Sequence, residues 1–196
     1  YMEIIQMGNK YDLVVIGAGP GGYVSAAAAA KKGMKTAIIE NRQLGGTCLN
    51  RGCIPTKTIM HSSELYRSMS DCGEAGLSCS GIGFDMEKIQ AHKNNVLETL
   101  RSGIAGMMKK NKVDVYNGTG TIISPDSVSV SGEDGDTVLE TANILIATGS
   151  RPMIPPIPGV DLEGVVSSDE LLDSTEVPER IVIIGGGVIG MEFAAV

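Results

Sequence analysis

A pattern that occurs twice constrains this chain more than anything else in it. Residues 12–22 (DLVVIGAGPGG) align without gaps on residues 180–190 (RIVIIGGGVIG), the second copy starting 168 positions after the first. In each, a β-branched run leads straight into G-x-G-x-x-G: Gly17, Gly19 and Gly22 in the first copy, Gly185, Gly187 and Gly190 in the second. The first glycine permits a tight turn and the second lets the backbone approach a pyrophosphate. The third allows the following helix to pack closely on the strand. Unpaired N–H groups and the positive dipole end of that helix then face the phosphates.

A lone motif of this kind is weak evidence, but around the first copy its context is complete. Lys10 to Ile16 reads as a strand, its near-continuous apolar run of Tyr11, Leu13, Val14, Val15 and Ile16 suited to a parallel strand covered on both faces. After the glycines, Tyr23 to Lys32 reads as a helix through the alanines 26–30, ended by Gly33. A second strand, 35–40, ends on Glu40, whose carboxylate can accept hydrogen bonds from ribose hydroxyls and would repel a 2′-phosphate. The motif by itself does not choose between FAD and NAD. Around the second copy the confirming acid and strands are not in the sequence, which predicts the start of a second, truncated nucleotide unit.

Residues 13–30 carry no charge over eighteen positions, long enough to raise a membrane span. Gly17, Gly19, Pro20, Gly21 and Gly22 in its middle favour a strand, a turn and a buried helix instead. Glu3 and the lack of a basic lead-in predict no signal peptide, and hence a cytoplasmic protein. Tyr1-Met2 reads as a cloning remnant. The net charge of −7 and aromatic content of 4% argue against nucleic-acid binding, because few phosphates could be neutralised and few bases stacked.

Further along, 85–111 predicts a long helix with Ile89, Val96, Leu100, Ile104, Met107 and Met108 on one side. Residues 113–131 and 137–140 read as short antiparallel strands, and 143–147 (NILIA) as another buried parallel strand. Prolines 152, 155, 156 and 158 make a stiff connector. The predicted domains are therefore 1–150, and 151–196 as linker plus the truncated second unit.

The chain has four cysteines. Cys48 and Cys53 lie in GGTCLNRGCIPTK, residues 45–57, with four residues between them. Zinc sites favour C-x-x-C knuckles, and Cys72 and Cys79 are too far apart to supply a second one. A structural disulfide is disfavoured in the cytosol. What remains is a redox-cycling pair, one sulfur exposed for exchange and one held against an electron acceptor. Gly45 and Gly46 would let the loop pass close to a flavin, and Pro55 would interrupt the helix just after the second sulfur.

Segment 45–57 resembles the active-site signature of the pyridine nucleotide–disulfide oxidoreductases. Within that family Leu49 and Ile54 fit the dihydrolipoamide dehydrogenase branch best. The resemblance extends over the whole chain through the first glycine motif, residues 144–152 (ILIATGSRP) and residues 185–194 (GGGVIGMEFA). Arg51 departs from it, standing where many relatives carry an apolar residue.

The resemblance implies an α/β fold: a Rossmann-like FAD-binding domain made of a parallel sheet and a small antiparallel β-meander, then the start of a Rossmann-like NAD-binding domain. It implies that Cys48 is the interchange thiol and Cys53 the charge-transfer thiol facing FAD. Lys57 would sit beside the flavin and pair with Glu192. Gly46, Thr47, Gly118, Thr148, Gly149 and Ser150 would contact FAD, and Gly185, Gly187 and Gly190 would belong to the NAD site. No metal is implied. Dihydrolipoamide on a lipoyl domain of a 2-oxoacid dehydrogenase or glycine cleavage complex would be oxidised with NAD⁺ as acceptor, by a homodimer off the membrane. Because the family draws its acid/base pair from a C-terminal domain, these residues alone are expected to be nearly inactive.

Rival readings are a relative acting on glutathione, mercuric ion or a coenzyme A disulfide, and a non-enzymatic flavoprotein module. The intact cysteine pair argues against the module. His61 and His92 read as helix-surface residues, Cys72 and Cys79 as ordinary loop cysteines, and Glu133, Asp134 and Asp136 as a solvated turn.

Overall fold

A computed structural model describes residues 7–133 and 135–196, with side chains 7–9 left aside. Tyr1, Met2, Glu3 and Asp134 lie outside the described residues. The chain divides into two compact units, Tyr1–Asn50 with Thr99–Ser150, and Arg51–Glu98 with Arg151–Val196.

The first unit is built on a parallel sheet of β2 (Leu13–Ile16), β3 (Thr36–Glu40), β4 (Asp114–Asn117) and β8 (Ile144–Ile146), in the order β4-β3-β2-β8. Alternation along the strands divides their apolar side chains between two layers. Val14, Ile16, Ala37 and Ile39 join Val128, Val130 and Leu139 of a second sheet in one core. Val15 and Ile38 turn the other way, onto Ala26 and Ala27 of helix α1 (Pro20–Lys31) and onto Met108. The alanines let the helix lie close, as their small size predicts.

The second sheet has the order β1-β7-β6-β5, with β1 at Met7–Tyr11, β5 at Thr119–Ser124, β6 at Ser127–Ser131 and β7 at Thr137–Thr141. Its β5-β6-β7 part is an antiparallel meander, and β1 joins β7 in parallel.

Three expectations change here. The run through Ile16 is two strands, because the chain leaves one sheet for the other at Asp12. The Asp12 backbone and carboxylate both bond the Lys35 backbone, at 2.8 and 2.7 Å. Residues 114–117 join the parallel sheet and not the meander, since side-chain alternation does not encode strand direction. The strand from 144 is an edge strand with Ile146 65% exposed, so an apolar run did not mean burial on both faces.

The second unit contains α3 (Cys53–Ser70), a 3-10 turn (Cys72–Ala75), α5 (Ser168–Leu171) and α6 (Val188–Ala195). It also holds the N-terminal part of α4 (Met86–Lys110), on which the buried residues include Gln90, Lys93 and Leu97. Leu100, expected on the packed side, is exposed. Gln90 and Lys93 donate to the carbonyl of Leu172 at 3.0 and 2.9 Å, and Lys93 also pairs with Asp173 at 2.6 Å. Pro55 lies in the first turn of α3, where its missing N–H costs no hydrogen bond, so it continues the helix it was expected to interrupt. Residues 181–184 form no strand, and Val182 is 90% exposed: among the described residues no segment runs beside them to complete a ladder.

No described helix is long and apolar enough to cross a membrane. Residues 13–30, the stretch that raised that question, are β2, the glycine turn and most of α1.

Candidate functional site

In the first unit the glycine turn has the geometry its spacing predicts. Gly17 has φ +102°, and a Cβ there would overlap the Ala147 carbonyl. A Cβ on Gly22 would overlap the Gly17 carbonyl oxygen. Gly19 caps α1 without any side-chain bond, and Pro20 has no N–H to satisfy. The first turn of the helix therefore offers backbone donors to an anion.

The loop leading to the first cysteine rests on this turn. Gly45 donates its N–H to the Ala18 carbonyl at 2.9 Å, and Gly46 packs so tightly on Gly19 that a Cβ would not fit. Thr47 Oγ1 donates to the Ser150 carbonyl at 3.4 Å. Gly46, Thr47, Gly19 and Ser150 are thus drawn together, with half-buried Cys48 next in helix α2 (Gly46–Arg51). Thr148 and Gly149 are exposed on the same strand-end segment.

Glu40 stands at the end of β3. Its carboxylate accepts from the N–H of Ala18 at 2.8 Å and of Arg42 at 3.0 Å, which fixes its position and leaves lone pairs for further donors. A cleft of about 380 Å³ opens beside it, lined by Asn117, Gly118, Thr119 and Gly132 among others. Gly118 has φ +156° and donates to the Glu40 carbonyl at 2.9 Å. A helix N-terminus without a cap, a glycine cradle and a fixed acid beside a cleft suit a dinucleotide: diphosphate at the first, ribose at the last.

Asn50 carries part of this arrangement and was missed from sequence. Buried within the cysteine motif, it donates to the carbonyls of Leu44 at 3.1 Å and Gly46 at 2.9 Å, and it accepts from Arg101 Nε at 2.7 Å. Its only signal was a polar residue between two cysteines, which gives no hint of burial.

In the second unit Cys53 is exposed at the start of α3, behind the break at Gly52. Lys57, one turn on, bonds Glu192 of α6 at 2.8 Å. Arg51 pairs with Asp169 of α5 at 3.8 Å. Neither Cys48 nor Cys53 is in a disulfide. Cys53 is the more exposed of the two, so accessibility alone would give it to the substrate. His61 and His92 lie exposed on their helices. Among the described residues no cluster of His, Cys, Asp and Glu is arranged to hold a metal.

The second glycine motif repeats the first in detail. Gly185 has φ +113°, Gly187 caps α6 at φ −76° and ψ 178°, and a Cβ on Gly190 would overlap the Gly185 carbonyl oxygen. Gly19 caps α1 at φ −72° and ψ −178°. The turn therefore forms even where its strand does not.

Comparison with known proteins agrees with this geometry. A profile of the pyridine nucleotide-disulphide oxidoreductases matches residues 11–196. The dihydrolipoyl dehydrogenase of Acholeplasma laidlawii is 48% identical over 195 residues, 97% of this chain and 57% of that protein. The dihydrolipoyl dehydrogenase of Bacillus subtilis is 42% identical over 201 residues, 96% of this chain and 42% of that protein. The chain thus spans about half the length of these relatives. A solved Cu(II) complex of the HOCl-induced flavoprotein disulfide reductase RclA from Escherichia coli superposes with a TM-score of 0.81. It is 34% identical and covers 95% of this chain and 40% of its own.

Proposed function

Because this chain belongs to the pyridine nucleotide–disulfide oxidoreductase family, whose members use FAD and NAD(H), we propose that it is the flavin-binding, dithiol-carrying part of a dihydrolipoyl dehydrogenase. One observation carries the reading: the loop that delivers Cys48 is bonded to the dinucleotide turn, through Gly45 on Ala18 and Gly46 against Gly19.

Gly17, Gly19, Pro20 and Gly22 hold the diphosphate of FAD at the start of α1. Glu40 takes the ribose, Gly118 borders the adenine end, and Gly46, Thr47, Thr148, Gly149 and Ser150 line the path of the cofactor. Gly185, Gly187 and Gly190 serve NAD⁺ in the same way. Bound FAD supplies a two-electron acceptor that passes charge from the dithiol to NAD⁺.

The protein's own chemistry is thiol exchange. One thiolate of dihydrolipoamide attacks Cys48 Sγ of the Cys48–Cys53 disulfide, a sulfur–sulfur bond forms, and Cys53 leaves as a thiolate. The second substrate sulfur then attacks the first and releases Cys48. The substrate has become a cyclic disulfide, and its two electrons reside on the protein cysteines. Lys57, held by Glu192, places a cation one helical turn from Cys53.

We assign turnover with NAD⁺, the homodimer, and docking to a lipoyl domain of a 2-oxoacid dehydrogenase or glycine cleavage complex to the whole protein. The relatives named above support lipoamide over glutathione. Turnover with dihydrolipoamide and NAD⁺, measured beside glutathione disulfide and NADPH, tests the choice. The first pair should be faster by orders of magnitude; a faster second pair would reject lipoamide as the substrate.

A further inference from the structure

Two cysteines remain that the proposed chemistry does not use. Cys72 and Cys79 both lie in the connection between α3 and α4, within the second unit. The base of that connection is clasped by Tyr66 of α3 and Phe84, whose rings meet edge to face with centroids 5.7 Å apart. Inside the clasp the chain doubles back. Gly76, at φ +77°, ends the 3-10 turn, and Leu77 returns its N–H to the Cys72 carbonyl at 3.1 Å. Cys72 Sγ in turn lies 3.8 Å from the Leu77 carbonyl oxygen. The reversal turns the chain back past Cys72, and Cys79 follows two residues beyond Leu77. The neighbouring Cys72 thiol, with a smaller contribution from desolvation, raises the pKa of Cys79 by favouring its protonated form.

We propose that Cys72 and Cys79 form a second reversible dithiol–disulfide site, oxidised by exchange with small-molecule disulfides and separate from the Cys48–Cys53 pair. Cys79 is exposed and Cys72 half-buried, so both can be reached and Cys79 is met first. With Leu77 bonded back to Cys72 through both its N–H and its carbonyl, a cysteine two residues further on needs little backbone movement to meet Cys72, and such movement is the usual obstacle to a disulfide. A metal site is the poorer reading, because no third ligand of the His, Cys, Asp or Glu type stands beside the pair among the described residues.

The exchange balances with glutathione disulfide as oxidant. The Cys79 thiolate attacks one of its sulfurs, expelling a first glutathione thiolate and forming a mixed disulfide. The Cys72 thiolate then attacks Cys79 Sγ and expels the second. Two protein thiols have lost two electrons and two protons, and one glutathione disulfide has become two glutathiones.

The sequence makes the test direct. Trypsin cuts after Arg67 and Lys88, so Cys72 and Cys79 fall in one peptide, 68–88, whereas Arg51 separates Cys48 from Cys53. The protein is incubated with glutathione disulfide, its remaining thiols are blocked with iodoacetamide, and the digest is read by mass spectrometry. Peptide 68–88 should appear mainly unblocked and two hydrogens lighter than its dithiol form, and dithiothreitol should reverse the change. In Cys79→Ser the same peptide should carry glutathione or the blocking group at Cys72. A peptide blocked at both sulfurs, when Cys48 and Cys53 have already become linked, would overturn the proposal. So would glutathione retained on both.

Discussion

Lys57 Nζ lies 2.8 Å from Glu192 Oε1, tying the helix that begins at Cys53 to the helix that begins after the second glycine turn. Lys57 is 60% exposed and Glu192 25%, so water and salt screen the pair. Its coupling, measured as a double-mutant cycle of Lys57→Met and Glu192→Gln by urea unfolding, should not exceed ~1 kcal/mol. It should shrink further in 1 M salt, where the Debye length is about 3 Å. A coupling several times larger, or one indifferent to salt, would mean that the pair is more deeply shielded than its exposure indicates.

The glycine turn makes a sharper demand. Gly22→Ala puts a methyl onto the Gly17 carbonyl, and Gly46→Ala puts one onto Gly19 at φ +61°. Each should cost ~1–3 kcal/mol and lower FAD affinity, as read by thermal melts and flavin fluorescence. Gly21→Ala meets nothing within 4 Å inside the same helix. It should keep FAD binding and gain up to ~1 kcal/mol, because alanine is the better helix former. Equal loss from all three variants would show that general destabilisation, and not the shape of the turn, governs binding.

Tyr11 gives the stability of the first unit a pH dependence. Its hydroxyl donates to Asp114 at 2.8 Å and lies 2.8 Å from the Tyr116 hydroxyl. Burial, then its bond to Tyr116, then its bond to Asp114 push its pKa far above the ordinary value. The folded protein therefore holds Tyr11 neutral where the unfolded chain ionises. The associated stability is fully present below the unfolded value of about 10 and is lost as pH rises from there towards the folded value. Tyr11→Phe should be less stable at neutral pH by ~1 kcal/mol and should fall less steeply above about pH 10. Parallel stability curves for the two proteins would contradict this account.

The sequence exposed the first glycine turn fully, since strand, glycines, helix, second strand and Glu40 are all local patterns. Strand direction was hidden: 114–117 alternates like any strand, and only the crossover through α4 puts it beside β3 in parallel. The break at Asp12 was masked by apolar residues on both sides of it. On α4 the buried Ile104 and Met108 were legible, but Gln90 and Lys93 were not: they point inward to backbone carbonyls of residues 172–174, partners some eighty residues away that no local pattern reveals. Asn50 escaped notice for the same reason, its partners at Leu44, Gly46 and Arg101 existing only once the loop is folded. Cys72 and Cys79 read as ordinary loop cysteines, because only the folded turn at Gly76, with Leu77 bonded back to Cys72, brings the chain around between them.

The assignment of roles to the two motif cysteines is the centre of the account, and exposure alone argues the other way. The decisive measurement is the visible spectrum of the FAD-loaded protein carrying Cys48→Ser or Cys53→Ser, beside the parent after two-electron reduction. The account predicts a long-wavelength charge-transfer band in the reduced parent and in Cys48→Ser, and none in Cys53→Ser. A band that survives in Cys53→Ser and disappears in Cys48→Ser would reverse the roles of the two sulfurs.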